Sequence, residues 1–131
     1  MTSFPLASLV TLLVVLVMVI TGLNVGRARG RYGVKAPAVT GHEMFERAFR
    51  IQMNTLESAL SMLPALWLYA GFIGDLGAGV MGVIWVAARI WYGVAYQNDP
   101  GKRGGGFGLS FLAFAGLWLG ALWGVARVIL H

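Results

Sequence analysis

FERAFRIQMNTLESALSMLPALWLYAGFI, running from Phe45 to Ile73, decides the fold. Its second half is as apolar as a membrane span, whereas its first half places Arg47, Arg50, Gln52, Asn54 and Glu57 in the same run. A hydrocarbon core about 30 Å thick is crossed by roughly 20 helical residues. If the polar start is admitted, this segment joins three others of sufficient length and the chain reads as a four-span protein.

The rest of the sequence supports a membrane setting. Of its 131 residues 58% are hydrophobic and 11% charged, against about 25% charged in an ordinary soluble domain. The apolar residues come in long blocks rather than at amphipathic spacing, which indicates spans instead of a buried soluble core. A net charge of +5 in a soluble chain would suggest nucleic acid. Here the basic residues flank apolar blocks, the pattern of membrane topology, and no nucleic-acid partner is expected. With no cysteine, disulfides, thiolate metal sites and a protein thiol nucleophile are excluded.

The expected spans are 5–25, 45–73, 78–97 and 107–129, together forming one all-α integral membrane domain over 1–131. Ser3 before Pro5 reads as a cap and first-turn proline for the first helix. No basic residue precedes that run and no small-residue cleavage site follows it, so it is read as a span and not as a signal peptide. The first connection carries Arg27, Arg29, Arg31 and Lys35, the third Lys102 and Arg103, and the second only Asp75. The positive-inside rule then puts the first and third connections in the cytoplasm and both termini on the other side, with Arg127 a weak dissenter. Pro37, Pro100 and neighbouring glycines mark these connections as turns, and the GGGFG run is read as a flexible entry to the last helix. Gly116, Gly120 and Gly124, like Gly22, Gly26 and Gly30, recur every four residues, a spacing that lets helix backbones approach closely.

Spacings of three, four and three align Arg47, Arg50, Asn54 and Glu57 on one helical stripe, and Arg89, Tyr92 and Tyr96 align in the third span. An ionised residue at the centre of a span costs about 2.5–3.5 kcal/mol, so such a stripe cannot face lipid. Two explanations stand: Glu57 pairs with Arg89 or Arg50 to join helices, or the stripe lines a polar cavity. The cavity would hold guanidinium groups from Arg29 or Arg31, Arg50 and Arg103, the amide of Asn54, the carboxylate of Glu57 and two phenols. Guanidinium groups fork onto carboxylates, a glutamate takes an ammonium, and amides match peptide groups. A small zwitterionic peptide with excess negative charge fits that inventory. His42 and His131 show no metal-ligand spacing, so no metal is expected. GKRGGGFG lacks the Ser or Thr of a phosphate loop.

FERAFRIQMNTLE, followed by ARIWYGVAY and Arg103, resembles the membrane-associated proteins in eicosanoid and glutathione metabolism, the MAPEG family, from about Arg27 to Arg103. The likeness is to a prokaryotic-type member akin to microsomal glutathione transferases and leukotriene C4 synthase. The resemblance implies a homotrimer of four-helix subunits in membrane lipid, of the bacterial inner membrane if the source is prokaryotic, with glutathione as co-substrate between subunits. It implies that Arg50, Asn54, Glu57, Tyr92 and Tyr96 hold glutathione, with Gln52 and Arg29 reaching it from a neighbouring subunit. Arg103 matches the arginine beside the glutathione sulfur, where a guanidinium lowers a thiol titrating near about 8.5 and favours the reactive thiolate. Ser58 and Leu60 stand where eicosanoid-forming members carry Tyr and then Pro, with Pro64 a turn later, and Gly30 replaces a second arginine. These departures favour general hydrophobic electrophiles or lipid hydroperoxides over leukotriene or prostaglandin substrates.

The expected activity is therefore that of a glutathione S-transferase or glutathione-dependent peroxidase. A non-catalytic lipid-binding or scaffold protein of the same fold is the alternative. A small four-span multidrug transporter fits less well, because its key glutamate belongs in the first span, which here has no acid.

Overall fold

The computed structural model describes residues 3–131. Its chain order is α1 (Pro5–Tyr32), α2 (Glu43–Phe72), α3 (Asp75–Asn98), a short 3-10 turn (Pro100–Lys102) and α4 (Gly104–Ile129). Each expected span lies within one helix apart from Ile73, the C-cap of α2. α1, α3 and the turn-plus-α4 segment are long and apolar enough to cross a membrane. α2 is longer than α3 but holds Glu43, Glu46, Arg47, Arg50 and Glu57, and it is carried by contacts with the other helices. α2 and α3 form the middle of the bundle, with α1 and α4 packed against both.

The core is apolar: Val10 and Val14 from α1, Met62 and Leu66 from α2, Trp85 from α3 and Leu117 from α4 are all at most 1% exposed. The outward faces are equally apolar, with Leu12 at 68% and Leu112 at 67% exposure, as expected for a bundle whose solvent is lipid. Close helix approach depends on missing side chains. A Cβ at Gly82 would meet Val10 at 2.5 Å, so α1 and α3 touch there. Gly116, Gly120 and Gly124 receive Met81, Tyr69 and Phe72 respectively, whereas Gly26 and Gly30 have nothing within 4 Å. Within one chain, the packing expected of small residues thus holds for the α4 series and fails for those two.

The ends depart from the sequence expectations in instructive ways. Ser3 does not cap α1; Phe4 occupies the N-cap and makes no side-chain bond. The cap comes from α3, where the Asp75 carboxylate accepts from Leu6 N and Ala7 N, both at 2.9 Å. A carboxylate suits a helix N-terminus because its amides are unpaired and the helix dipole is positive there. Arg27, Arg29 and Arg31 are not in a turn, because α1 runs through them and stops at Gly33, whose φ of 69° closes the helix in the left-handed region. Arginine and alanine favour helix and no proline intervenes before Pro37, so nothing ends α1 earlier. Likewise Gly104, Gly105 and Gly106 are the first turn of α4, not a flexible leader. A Cβ at Gly106 would lie 2.5 Å from Tyr92 N, so the bare glycine lets α4 start directly against the backbone of α3.

Candidate functional site

The α2 stripe divides into different roles. Arg47 turns to the end of α3: Nη1 donates to the carbonyls of Gln97 at 2.9 Å and Asn98 at 3.3 Å, and Nη2 to Glu43 at 2.7 Å. Gln97 donates in return to Met44 O at 3.2 Å. A cation on the last carbonyls of a helix satisfies unpaired acceptors and complements the negative dipole end. Arg47 is therefore a clamp between α2 and α3. Arg50 and Glu57 are exposed, Asn54 is half-buried, and all three remain on the outward part of the stripe.

Arg89 is 2% exposed. Its Nη2 donates to Asn54 Oδ1 at 2.7 Å and Thr55 Oγ1 at 3.0 Å, and its Nη1 to Ser110 Oγ at 3.3 Å, so one guanidinium ties α3 to α2 and α4. The expected pairing of Glu57 with Arg89 or Arg50 is absent; among the described residues the ion pair is Arg47 with Glu43. Neutral oxygens supply the buried guanidinium with acceptors and avoid taking a carboxylate out of water, a desolvation costing several kcal/mol per ion. Glu57 is left outside with its charge available.

From Arg89 a ladder of cations and rings leads outward. The Arg89 Cζ is 4.1 Å from the Tyr92 ring, the Tyr92 and Tyr96 rings are 5.7 Å apart at 68°, and the Arg103 Cζ is 5.5 Å from the Tyr96 ring. Helical spacing sets Tyr92 under Tyr96, while the close start of α4 at Gly106 brings Arg103 over. Arg103 is the N-cap residue of α4, exposed, with Nη1 donating to Pro100 O at 2.7 Å. Cation–ring contacts of this kind contribute about 0.5–2 kcal/mol each.

Beside the ladder lies a groove of about 290 Å³. Asn54, Glu57, Ser58 and Ser61 supply its polar side, and Trp85, Phe107, Phe111 and Phe114 its aromatic side. Phe107 is one turn after Arg103, and its ring is 6.5 Å from that of Tyr92. Such a groove can hold a charged, amide-rich molecule along one wall and an apolar one along the other. Ser110 is the single hydroxyl of α4, a signal that could have marked it as an internal polar contact. Ser61 and the three phenylalanines carry no such signal, because their sequence setting is that of any span.

Gln52 and Arg29 are elsewhere. Gln52 faces α1, with its Nε2 3.2 Å from where a Cβ on Gly22 would stand. Arg29 Nη1 donates to Ala38 O at 2.7 Å, and its Cζ sits 4.8 Å over the Phe45 ring. Within one chain, then, Asn54 and Glu57 share the groove, Tyr92, Tyr96 and Arg103 share the ladder, and Arg29 and Gln52 lie on the α1 side.

The MAPEG family model matches residues 7–123. The chain is 43% identical over 115 residues to the uncharacterized protein sll1147 of Synechocystis sp., covering 88% of this chain and 84% of that one. It is 36% identical over 108 residues to human microsomal glutathione S-transferase 2, covering 82% and 74%. To bovine leukotriene C4 synthase it is 34% identical over 94 residues, covering 72% and 63%. The matched region takes in the whole of α2 and α3 and most of α1 and α4, with the half-polar stripe and the polar ladder inside it, and this helical membrane bundle belongs to the MAPEG family.

Proposed function

We propose that this chain is a membrane glutathione transferase that activates glutathione as its thiolate for attack on hydrophobic electrophiles, with peroxide reduction as a companion reaction. The observation that carries this reading is the groove in which Asn54 and Glu57 face an aromatic wall that begins one turn after Arg103. The relatives named as a glutathione S-transferase and as leukotriene C4 synthase support it.

Glutathione has two carboxylates, one ammonium and two amides. Arg50 suits a carboxylate, Glu57 the ammonium and Asn54 an amide, while Tyr92 and Tyr96 offer phenolic hydroxyls. Arg103, cationic at the start of α4, favours the thiolate. The S–H proton leaves to solvent, the sulfur forms a C–S bond with the electrophilic carbon, and the leaving group departs with its electron pair. With a lipid hydroperoxide the thiolate cleaves the O–O bond instead, and a second glutathione completes reduction to alcohol, disulfide and water. No protein nucleophile enters either route.

The unit we propose is a homotrimer. Arg29 and Gln52 lie on the α1 side of α2, away from the groove of their own chain, and a site between copies would let them serve a neighbour's glutathione. We further place the arginine-bearing end of α1 with the α1–α2 connection, and the basic α3–α4 connection, in the cytoplasm and both termini opposite, in the inner membrane if the source is bacterial.

The test is conjugation of an electrophilic aromatic with glutathione by the purified protein in lipid. Arg103→Ala should lower kcat/KM by about 100-fold, the scale of losing one charge-stabilising donor, and abolish the ultraviolet signature of bound thiolate. Full activity in that variant rejects the role of Arg103. No glutathione binding at millimolar concentration in calorimetry rejects the transferase and favours a lipid-binding scaffold.

A further inference from the structure

A second groove lies between α1 and α3, with α2 as its floor, and has a volume of about 430 Å³. It exists because the two helices touch at one end and not at the other. Leu6 and Val10 lie close against Gly79 and Gly82. From Leu13 to Asn24 the facing α3 residues other than Gly93 carry side chains, and space opens between the helices. The walls are aliphatic along most of the length, with Leu13, Leu16 and Ile20 facing Val86, Ile90 and Val94. Asn24, Gln97 and Asn98 make the far end polar; the other polar lining groups are already engaged, Thr21 by Met18 O and the Arg89 guanidinium by Asn54, Thr55 and Ser110.

Beyond that end, α3 stops at Asn98 while α1 continues from Asn24 to Tyr32, an overhang of roughly 12 Å. Arg27 and Arg31, one and two turns past Asn24 on the same side of the helix, are both exposed. Arg27 has no hydrogen-bond or ion-pair partner among the described residues, and Arg31 meets only the Tyr32 ring at 5.5 Å. The nearby carboxylates are already engaged: Glu43 with Arg47, Glu46 with Gly41 N, and Asp99 with Gly101 N. Apart from the engaged Thr21 and Arg89, the groove is thus apolar along its length, then neutral polar, then cationic at its rim.

We propose that the α1–α3 groove is a binding site for an anionic phospholipid, one acyl chain lying between Leu16 and Ile90 and the phosphate meeting Arg27 and Arg31. An aliphatic slot with a basic rim between membrane helices is the arrangement that recognises acidic headgroups, and each arginine near the surface adds about fivefold to their preference. The site is separate from the α2–α4 groove and does not depend on glutathione.

The test is native mass spectrometry of the purified full-length protein given equal amounts of phosphatidylglycerol and phosphatidylcholine with identical acyl chains. Wild type should retain phosphatidylglycerol at least fivefold over phosphatidylcholine. Gly93→Leu and Ile20→Trp fill the groove from opposite walls and should each remove the retained lipid while oligomer size and helix content persist. The Arg27→Gln/Arg31→Gln double variant changes only exposed side chains, and it should keep lipid but bind the two headgroups within twofold of each other. Equal retention of both lipids by wild type, a preference that survives both groove-filling variants, or one that survives the double arginine substitution overturns the proposal.

Discussion

Replacing Asp75 by alanine should destabilise the bundle out of proportion to the size of the change. The carboxylate accepts from the amides of Leu6 and Ala7 at 2.9 Å each, and α1 has no acid in its own first turn and no side-chain cap. Losing an N-cap acceptor costs about 0.5–2 kcal/mol. Removing the charge from this helix terminus, and from the first turn of α3 where Asp75 resides, adds about 0.3–1 kcal/mol. The expected loss is about 2 kcal/mol, with Asp75→Asn losing roughly half because one of the two acceptor oxygens remains. Reversible unfolding in mixed micelles, followed by circular dichroism, measures the total. Hydrogen exchange localises it: 2 kcal/mol corresponds to about 30-fold faster exchange at the first-turn amides of α1. If Asp75→Ala unfolds within about 0.3 kcal/mol of wild type and those amides exchange unchanged, the inter-helix cap contributes nothing and the reasoning is refuted.

Arg89→Met should cost about 1–3 kcal/mol, the scale of leaving buried neutral acceptors unpaired, and should weaken glutathione binding by freeing Asn54; unaltered micellar unfolding would contradict the tie across three helices. Gly106→Ala should cost about 1–3 kcal/mol through overpacking against the Tyr92 backbone, whereas Gly104→Ala, with open space around it, should gain up to about 1 kcal/mol from helix propensity; thermal unfolding of the pair distinguishes them, and equal effects would refute the close approach. Arg47→Ala should lower stability by about 1–2 kcal/mol and speed exchange of the amides in the last turn of α3. No change there would remove Arg47 from its clamping role.

The helices were legible because apolar blocks of span length admit few other structures, and the polar half of α2 was legible because charges at spacings of three and four must share a direction. Their partners were not. Arg47 and Arg50 stand on the same stripe three residues apart, yet one caps α3 and the other stays exposed, a difference set by where α3 ends. Arg89 was visible as a buried cation, but its choice of Asn54, Thr55 and Ser110 over Glu57 depends on side-chain depth across three helices. Asp75 was noticed only as a lone acid in a short connection, because the amides it caps are 68 and 69 residues away. The aromatic wall of the α2–α4 groove was hidden for the opposite reason, since phenylalanines in a span announce nothing about which face they occupy.

The two-residue link between α2 and α3, Ile73 and Gly74, bears on how the protein is made. Polar residues in the first half of α2 make it a poor candidate to leave the translocation channel alone, since each central charge disfavours insertion by a few kcal/mol. α3 emerges directly behind it, is apolar enough to cross, and carries the guanidinium that Asn54 and Thr55 accept from. The pair therefore suits entry into the bilayer as one hairpin, with synthesis of α3 rescuing α2. A ribosome stalled before Arg89 would hold a helix that is not yet at home in lipid.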